Sequence, residues 1–156
     1  MLEIDVPGWK TLTLKHLVLD FNGTLALDGQ LLPGVRERLD SLAQQLEIHV
    51  LTADTFGSVQ EQMRNIACGF FIIPLTEQAK AKAAYLENLG SSGCVAVGNG
   101  RNDVLMLQAA ALGIALLQEE GAAAQALAAA DLVCRSVCDA LDLLVNPLRM
   151  SATLRG

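Results

Sequence analysis

Aromatic side chains are scarce, at 4% of the chain, and basic residues are outnumbered, with 11 Lys and Arg against 17 Asp and Glu for a formal net charge of −6. No basic cluster stands anywhere in the sequence. Nucleic acid is therefore not an expected partner, because neutralising its phosphates takes Lys and Arg in numbers. Long apolar runs are missing too: the longest fall far short of the ~20 residues a membrane span needs. The opening residues, MLEIDVPGWK, lack the basic-then-apolar order of a secretory signal, which points to a cytoplasmic protein. There is no C-x-x-C pair. Cys68, Cys94, Cys134 and Cys138 sit mostly within apolar runs, with both histidines far from them in sequence. They read as small buried hydrophobes in a reducing compartment rather than as a zinc site. His16 and His49 lie in strand-like runs and read as packed rather than catalytic.

What the chain does have is hydrophobic residue content, 52%, in a length of 156 residues that suits one domain with a substantial core. Short apolar runs alternate with helical stretches. Strands are expected at 12–19, 47–51, 69–73, 94–97, 113–117 and 131–134, with a small one at 2–6 before a turn at Pro7-Gly8. Helices are expected at 34–46, 55–66, 77–89, 102–111, 122–129 and 136–145, the first from Val35, Leu39, Leu42 and Leu46 at helical spacing. The closing NPLRMSATLRG reads as a surface tail. Such alternation implies right-handed β-α-β units, hence an α/β fold: a three-layer, doubly wound parallel sheet of Rossmann-like type.

In that architecture ligands bind beyond the carboxyl ends of the strands. The first strand ends in Asp20-Phe21-Asn22-Gly23-Thr24, the second in Thr52-Ala53-Asp54, and the fourth in Gly98-Asn99-Gly100-Arg101-Asn102-Asp103. Lys80 and Lys82 open the helix at 77–89. Carboxylates, glycines that expose backbone and a cation suit a magnesium ion and a phosphoryl group. Asp, Asn and Gly are also ordinary turn formers, and Thr52 equally suits a helix cap.

These stretches together resemble the motifs of the haloacid dehalogenase-like superfamily, whose phosphatases and P-type ATPases share four dispersed signatures. DFNGTL is similar to the first, VLT at 50–52 to the second, Lys80 (or failing that Lys82) to the third, and VGNGRND at 97–103 to the fourth. The stretch from TEQAKAK through AAADLV is similar to the phosphorylation domain of P-type ATPases, so the likeness is to a soluble relative of that domain. The resemblance implies a magnesium-dependent phosphohydrolase or phosphotransferase acting on a phosphorylated substrate, small or macromolecular. Asp20 would be the nucleophile, forming an aspartyl-phosphate. Asn22, Thr52 and Lys80 would complete the catalytic set. Phe21, Gly23, Thr24, Ala53 and Asn102 would bind phosphate, and Asp20, Asn22 through its carbonyl, Asn99 and Asp103 would hold magnesium.

Two positions depart from that pattern. Asn22 stands where family phosphatases carry the Asp that protonates the leaving oxygen, and losing such help lowers rates by roughly 10²–10⁴-fold. Asn99 stands where the family has a metal-binding Asp, so a negative charge is gone from a site for a hard cation. The expected enzyme is slow and favours activated donors; a non-enzymatic phosphate-binding or regulatory domain is the alternative. LALDGQLL at 25–32 reads as a short hairpin turning at Asp28-Gly29, leaving no room for a cap domain. An uncapped site goes with a homodimer or larger oligomer, or with a macromolecular substrate.

Overall fold

The computed structural model describes residues 1–54 and 58–156. The chain opens with a hairpin of its own: β1 (Leu2–Val6) pairs antiparallel with β2 (Lys10–Leu14) across the Pro7-Gly8 turn. Its residues alternate from Leu2 to Val6 and from Thr11 to Leu14, with Leu2, Ile4, Val6, Leu12 and Leu14 buried and their neighbours exposed, as one-sided strands do. The single strand expected over 12–19 is thus two. Lys15 divides them: its N–H donates to the Gly93 carbonyl and its carbonyl accepts from Glu47. The next strand, β3 (His16–Asp20), belongs to the main sheet, and its continuous apolar run is buried on both faces.

A short hairpin follows, β4 (Ala26–Leu27) and β5 (Gln30–Leu31), turning at Asp28 and Gly29 with φ of 51° and 77°. These are the positive values that a two-residue hairpin loop requires. Then come α1 (Val35–Leu42), β6 (Glu47–Thr52), α2 (Ser58–Gln62), β7 (Gly69–Ile72) and α3 (Gln78–Leu89). The second half runs β8 (Cys94–Gly98), α4 (Val104–Ala109), β9 (Leu112–Leu116), α5 (Ala124–Ala129), β10 (Leu132–Cys134) and α6 (Val137–Val145). The first residues of the helix expected at 55–66 lie outside the described ones, and its last turn is irregular. The helix expected at 102–111 is shorter because residues Arg101–Asp103 form a 3-10 turn.

All six strands of the main sheet are parallel, in the order β10-β9-β8-β3-β6-β7. The chain winds outward from β3 through β6 and β7, then returns to the other side of β3 for β8. That reversal opens a crevice between the carboxyl ends of β3 and β8, where Asp20 and Asn99 emerge. On one face, Leu17, Leu19, Val50, Val97 and Ile114 meet α1, α6 and the opening hairpin. On the other, Val18, Ala96 and Ala115 meet α3, α4 and α5 through small residues. There the layers lie so close that a Cβ on Gly113 would stand 2.5 Å from the Leu107 carbonyl oxygen.

The expected surface tail is a helix, α7 (Pro147–Leu154), with Pro147 in its first turn. Met150 is fully buried, Ser151 Oγ donates to the Asp5 carbonyl, and Gly156 N–H donates to the Pro7 carbonyl. The helix therefore docks on β1 and closes the outer face of the hairpin. Met150 and Leu154 are its apolar anchors, and a single i, i+4 pair gave little periodicity from which to expect it.

Candidate active site

Asp20 is the last residue of β3, and the chain turns sharply after it. The Phe21 carbonyl accepts from the N–H groups of Thr24, Leu25 and Ala26, while Gly23 adopts φ 78° and donates to the Ala26 carbonyl. Phe21 itself is a core residue whose ring is buried, so only its backbone belongs to the loop. Thr24 is buried and its hydroxyl donates to Asp20 Oδ2 at 3.4 Å. The loop is held from outside by Gln118: its amide donates to the Gly23 and Thr24 carbonyls at 3.0 and 2.9 Å. Its carbonyl accepts from Val137 N–H at the start of α6.

Lys82, in the first turns of α3, is fully buried and donates to Asp20 Oδ1 and Asp103 Oδ1, each at 2.6 Å. Lys80 does not reach the site. Two residues away on the same helix it points to solvent and pairs with Glu77 at 2.5 Å, since such neighbours face nearly opposite sides. The position expected first is thus corrected to Lys82. Asp103 is also fully buried, and its other oxygen accepts from Asn99 N–H at 3.0 Å and Gly100 N–H at 2.8 Å. A Cβ on Gly98 would stand 2.4 Å from the Asp103 carboxyl carbon, so glycine there is what lets that carboxylate tuck under the strand end. Asp103 serves the lysine and the turn and is not among the residues lining the cavity above.

One ammonium between two carboxylates leaves a buried negative charge over. Burial pushes the Asp20 carboxyl up to about 7, and the Asp103 carboxylate adds to this against the pull of Lys82 and Thr24. Burial alone would lower the Lys82 ammonium, but the two carboxylates outweigh it and hold the proton. The site therefore presents a firmly charged lysine and an aspartate eager for a further cation.

Above this trio lies a cavity of about 280 Å³, lined by Asp20, Asn22, Thr52, Ala53, Lys82, Asn99 and Asn102 among others. Asn22 is exposed at its mouth. Thr52 is buried, and its Oγ1 accepts from Asp54 N–H at 3.0 Å, so its hydroxyl shapes the turn after β6 while facing the cavity. Asn102 donates to Gln78 Oε1 at 2.7 Å across the opening. The structure thus gathers Asp20, Asn22, Thr52, Ala53, Asn99 and Asn102 around one space, with Gly23 and Thr24 in the loop beneath.

Three contributors escaped the sequence reading: Gln78, Gln118 and Glu120. Gln118 and Glu120 follow β9, whose carboxyl end was the one to inspect by the same rule that found the others. Glu120 lines the cavity. A Cβ on Gly23 would stand 2.1 Å from Glu120 Oε2, 2.9 Å from Asn99 Nδ2 and 3.0 Å from Asn99 Oδ1. Gly23 therefore leaves open a polar cradle beside the loop that follows Asp20. Asn99 Nδ2 donates to the Gly121 carbonyl at 3.0 Å, which leaves its Oδ1 as the oxygen for a cation. Carboxylate and carbonyl oxygens alone form this set, and hard oxygen donors fit magnesium.

The model of a family described as haloacid dehalogenase-like hydrolase matches residues 35–140. The protein MJ0073 of Methanocaldococcus jannaschii, uncharacterized by name, is 46% identical over 61 residues; the match spans 39% of this chain and 66% of that protein. The 3-deoxy-D-manno-octulosonate 8-phosphate phosphatase of Moraxella catarrhalis, solved with magnesium, phosphate and sugar, superposes with a TM-score of 0.72 at 17% identity, covering 92% of this chain and 94% of that one. A zinc-transporting PIB-type ATPase superposes with a TM-score of 0.64 at 22% identity over 80% of this chain and 20% of the transporter. At such identities the likeness is one of fold. The family match covers well over half of the residues, and the chain belongs to the haloacid dehalogenase-like hydrolases.

Proposed function

We propose that this hydrolase is a magnesium-dependent phosphohydrolase or phosphotransferase that works through an aspartyl-phosphate on Asp20. The observation that carries the reading is Lys82 shared at 2.6 Å between Asp20 and Asp103 at the floor of a cavity lined by hydroxyl and amide groups. Lys82 fixes the rotation of the Asp20 carboxylate through Oδ1, and Oδ2 keeps only the long contact to Thr24. An Asp20 oxygen attacks phosphorus in line; the bond to the leaving oxygen breaks, and its electron pair departs with it. Thr52, the N–H of Ala53 and Asn102 receive the phosphoryl oxygens, while Lys82 offsets their charge. Water then attacks the phosphorus of the aspartyl-phosphate and regenerates the carboxylate.

Magnesium, when bound, offsets the charge shared by the carboxylates and the phosphoryl group. Asp20, the Asn22 carbonyl and Asn99 Oδ1 would hold it, with Glu120 supplying a second carboxylate. Asn22 has no proton to exchange, so leaving groups that depart as stable anions are favoured: aryl oxides, acyl carboxylates or the diphosphate of a nucleoside triphosphate. The segment after Asp20 holds only the short Ala26–Leu31 hairpin before α1, and a site without a larger insertion there suits a phosphorylated macromolecule or coverage by a second copy of the chain.

The two amides at Asn22 and Asn99 favour a second reading, a phosphate-binding regulatory domain without turnover. Incubation with magnesium and an aryl or acyl phosphate, with Asp20→Ala as control, decides between them. Slow turnover absent from the control supports the enzyme. A beryllofluoride adduct that forms on Asp20 while a broad panel of phosphates stays intact leaves the regulatory domain; the lack of both refutes Asp20 as a nucleophile.

A further inference from the structure

The amino end of the central strands carries a second cluster, remote from Asp20 at the carboxyl end. His16 and Glu47 are paired across the parallel strands β3 and β6, and His49 lies two residues beyond Glu47 on the same face. His16 Nδ1 stands 3.1 Å from His49 Nε2 and 3.3 Å from Glu47 Oε2, and His49 Nε2 stands 3.9 Å from the same oxygen. We propose that His16, Glu47 and His49 form a site for a zinc-class divalent ion, clamping the amino ends of the two central strands.

The distances argue for it. Zinc binds imidazole nitrogen and carboxylate oxygen at about 2.0–2.2 Å, so neighbouring ligands of a tetrahedral ion lie roughly 3.3–3.5 Å apart. The three separations already bracket that edge. Closing the long one needs only a small rotation of Glu47, whose side chain is 75% exposed and free to turn, while the two histidines are nearly buried and fixed. Without an ion, one imidazole N–H donates to the other ring's nitrogen, and a bound ion would take the place of that proton between the same two nitrogens.

The surroundings support the ligand state. His49 Nδ1 lies 2.8 Å from the Tyr85 hydroxyl on α3. When that hydroxyl accepts the Nδ1 proton, the Nε2 lone pair is left to face His16 and Glu47. An outer hydrogen bond of this kind fixes the tautomer and orientation of a metal-bound histidine. Phe71 and Tyr85 pack on the His49 ring, with centroids 6.1 and 5.8 Å away, and hold its plane. His16 also borders two open clefts, of about 420 and 380 Å³, which give an ion a route in and leave a fourth position to water. Imidazole with a single carboxylate selects zinc, cobalt or nickel over magnesium, which prefers oxygen alone.

The test uses the full chain stripped with chelator and then titrated with Zn²⁺ by calorimetry, with thermal denaturation in parallel. One equivalent of Zn²⁺ should bind and raise the melting temperature. Binding should weaken at least tenfold in His16→Gln, His49→Gln and Glu47→Gln, and about tenfold in Tyr85→Phe, the usual loss when an outer partner is removed. Asp20→Asn should leave it unchanged, which separates this ion from the magnesium site. Because a histidine variant can misfold, Co²⁺ on the unmodified chain supplies an independent reading. Tetrahedral visible bands without a sulfur-to-cobalt charge-transfer band support histidine and carboxylate ligands. Absence of stoichiometric binding, a sulfur-to-cobalt band, loss of binding in Asp20→Asn, or undiminished binding in folded His16→Gln and His49→Gln would overturn the site.

Discussion

Asp20→Asn should make the metal-free protein more stable, and the gain should grow with pH. The Asp20 carboxyl rises from 3.8 to about 7 on folding, burial being the main cause. The folded state therefore holds a proton that the unfolded chain has released between those values. Stability from this group is fully present below about pH 4 and is lost as pH rises through 7. Each unit corresponds to about 1.4 kcal/mol, so the ceiling on the buried-charge penalty at pH 8 is roughly 4 kcal/mol. Asparagine keeps the size of the side chain and its Oδ1 still accepts from Lys82. It also removes one of the lysine's two counter-charges, which holds the gain below that ceiling.

Between pH 5 and pH 8 the advantage of the variant should increase by about 2 kcal/mol. For a chain of this length that is roughly 4–8 °C in melting temperature. Thermal or urea denaturation in chelator at both pH values measures it. The two proteins differ at this residue alone, so the difference between the two profiles reports on Asp20. Magnesium should shrink the gap, because a bound cation supplies the charge that the wild type lacks. A difference that does not change with pH, or a wild type that is the more stable protein at pH 8, would refute the account of an over-full pair of carboxylates around one lysine.

Lys82→Ala should destabilise the fold by about 3–5 kcal/mol, because it strands two buried carboxylates, whereas Lys80→Ala should stay within about 0.5 kcal/mol; denaturant midpoints separate them. Glu120→Gln should raise the magnesium concentration for half-maximal activity and Asn99→Asp should lower it, with both effects fading at saturating magnesium. Asn22→Asp should speed hydrolysis of alkyl phosphates more than that of aryl phosphates, by up to about 10²-fold, and an unchanged alkyl-to-aryl ratio would show that residue 22 does not face the leaving group. Met150→Ala should cost about 2–5 kcal/mol in urea denaturation, a loss that a surface tail would not show.

The sheet and its crevice were legible because their signals are local. Val18 and Leu19 in a run with no polar alternation announce a strand covered on both faces, and such runs separated by helical spacing imply right-handed units in a doubly wound parallel sheet. Asp20, Thr52 and Asn99 could then be placed at strand ends without knowing any contact. Lys82 could not be separated from Lys80 in the same way. Both sit in a stretch of alanines, and which one turns inward depends on the rotation of α3 about its axis. That rotation is set by Leu86 and the small residues that meet the sheet, with only a weak apolar stripe to reveal it. The break at Lys15 was hidden for a related reason: a half-buried strand and a fully buried one follow each other with a single residue between, so their periodicities merge.

The least legible feature was where the site keeps its charge. Read along the chain, Asn99 removes a carboxylate from the metal set, and the loss looks uncompensated because nothing near it in sequence restores it. In three dimensions Glu120 comes back over the Asn99 amide from the loop after β9, and both converge on the space that Gly23 leaves without a side chain. The negative charge has moved from one strand end to the next rather than vanished. On the proposed reading, such a site retains oxygen donors for magnesium, and Asn22 is the position that limits proton transfer. On that reading the two amides are not equivalent: a carboxylate near Asn99 replaces a lost charge, whereas nothing replaces the exchangeable proton lost at Asn22. Restoring acid at position 99 in a Glu120→Gln background should therefore recover magnesium dependence close to that of the wild type, while restoring it at position 22 should change leaving-group preference and leave metal affinity nearly as it was. If Asn99→Asp fails to rescue Glu120→Gln in a magnesium titration, the two residues do not serve one ion.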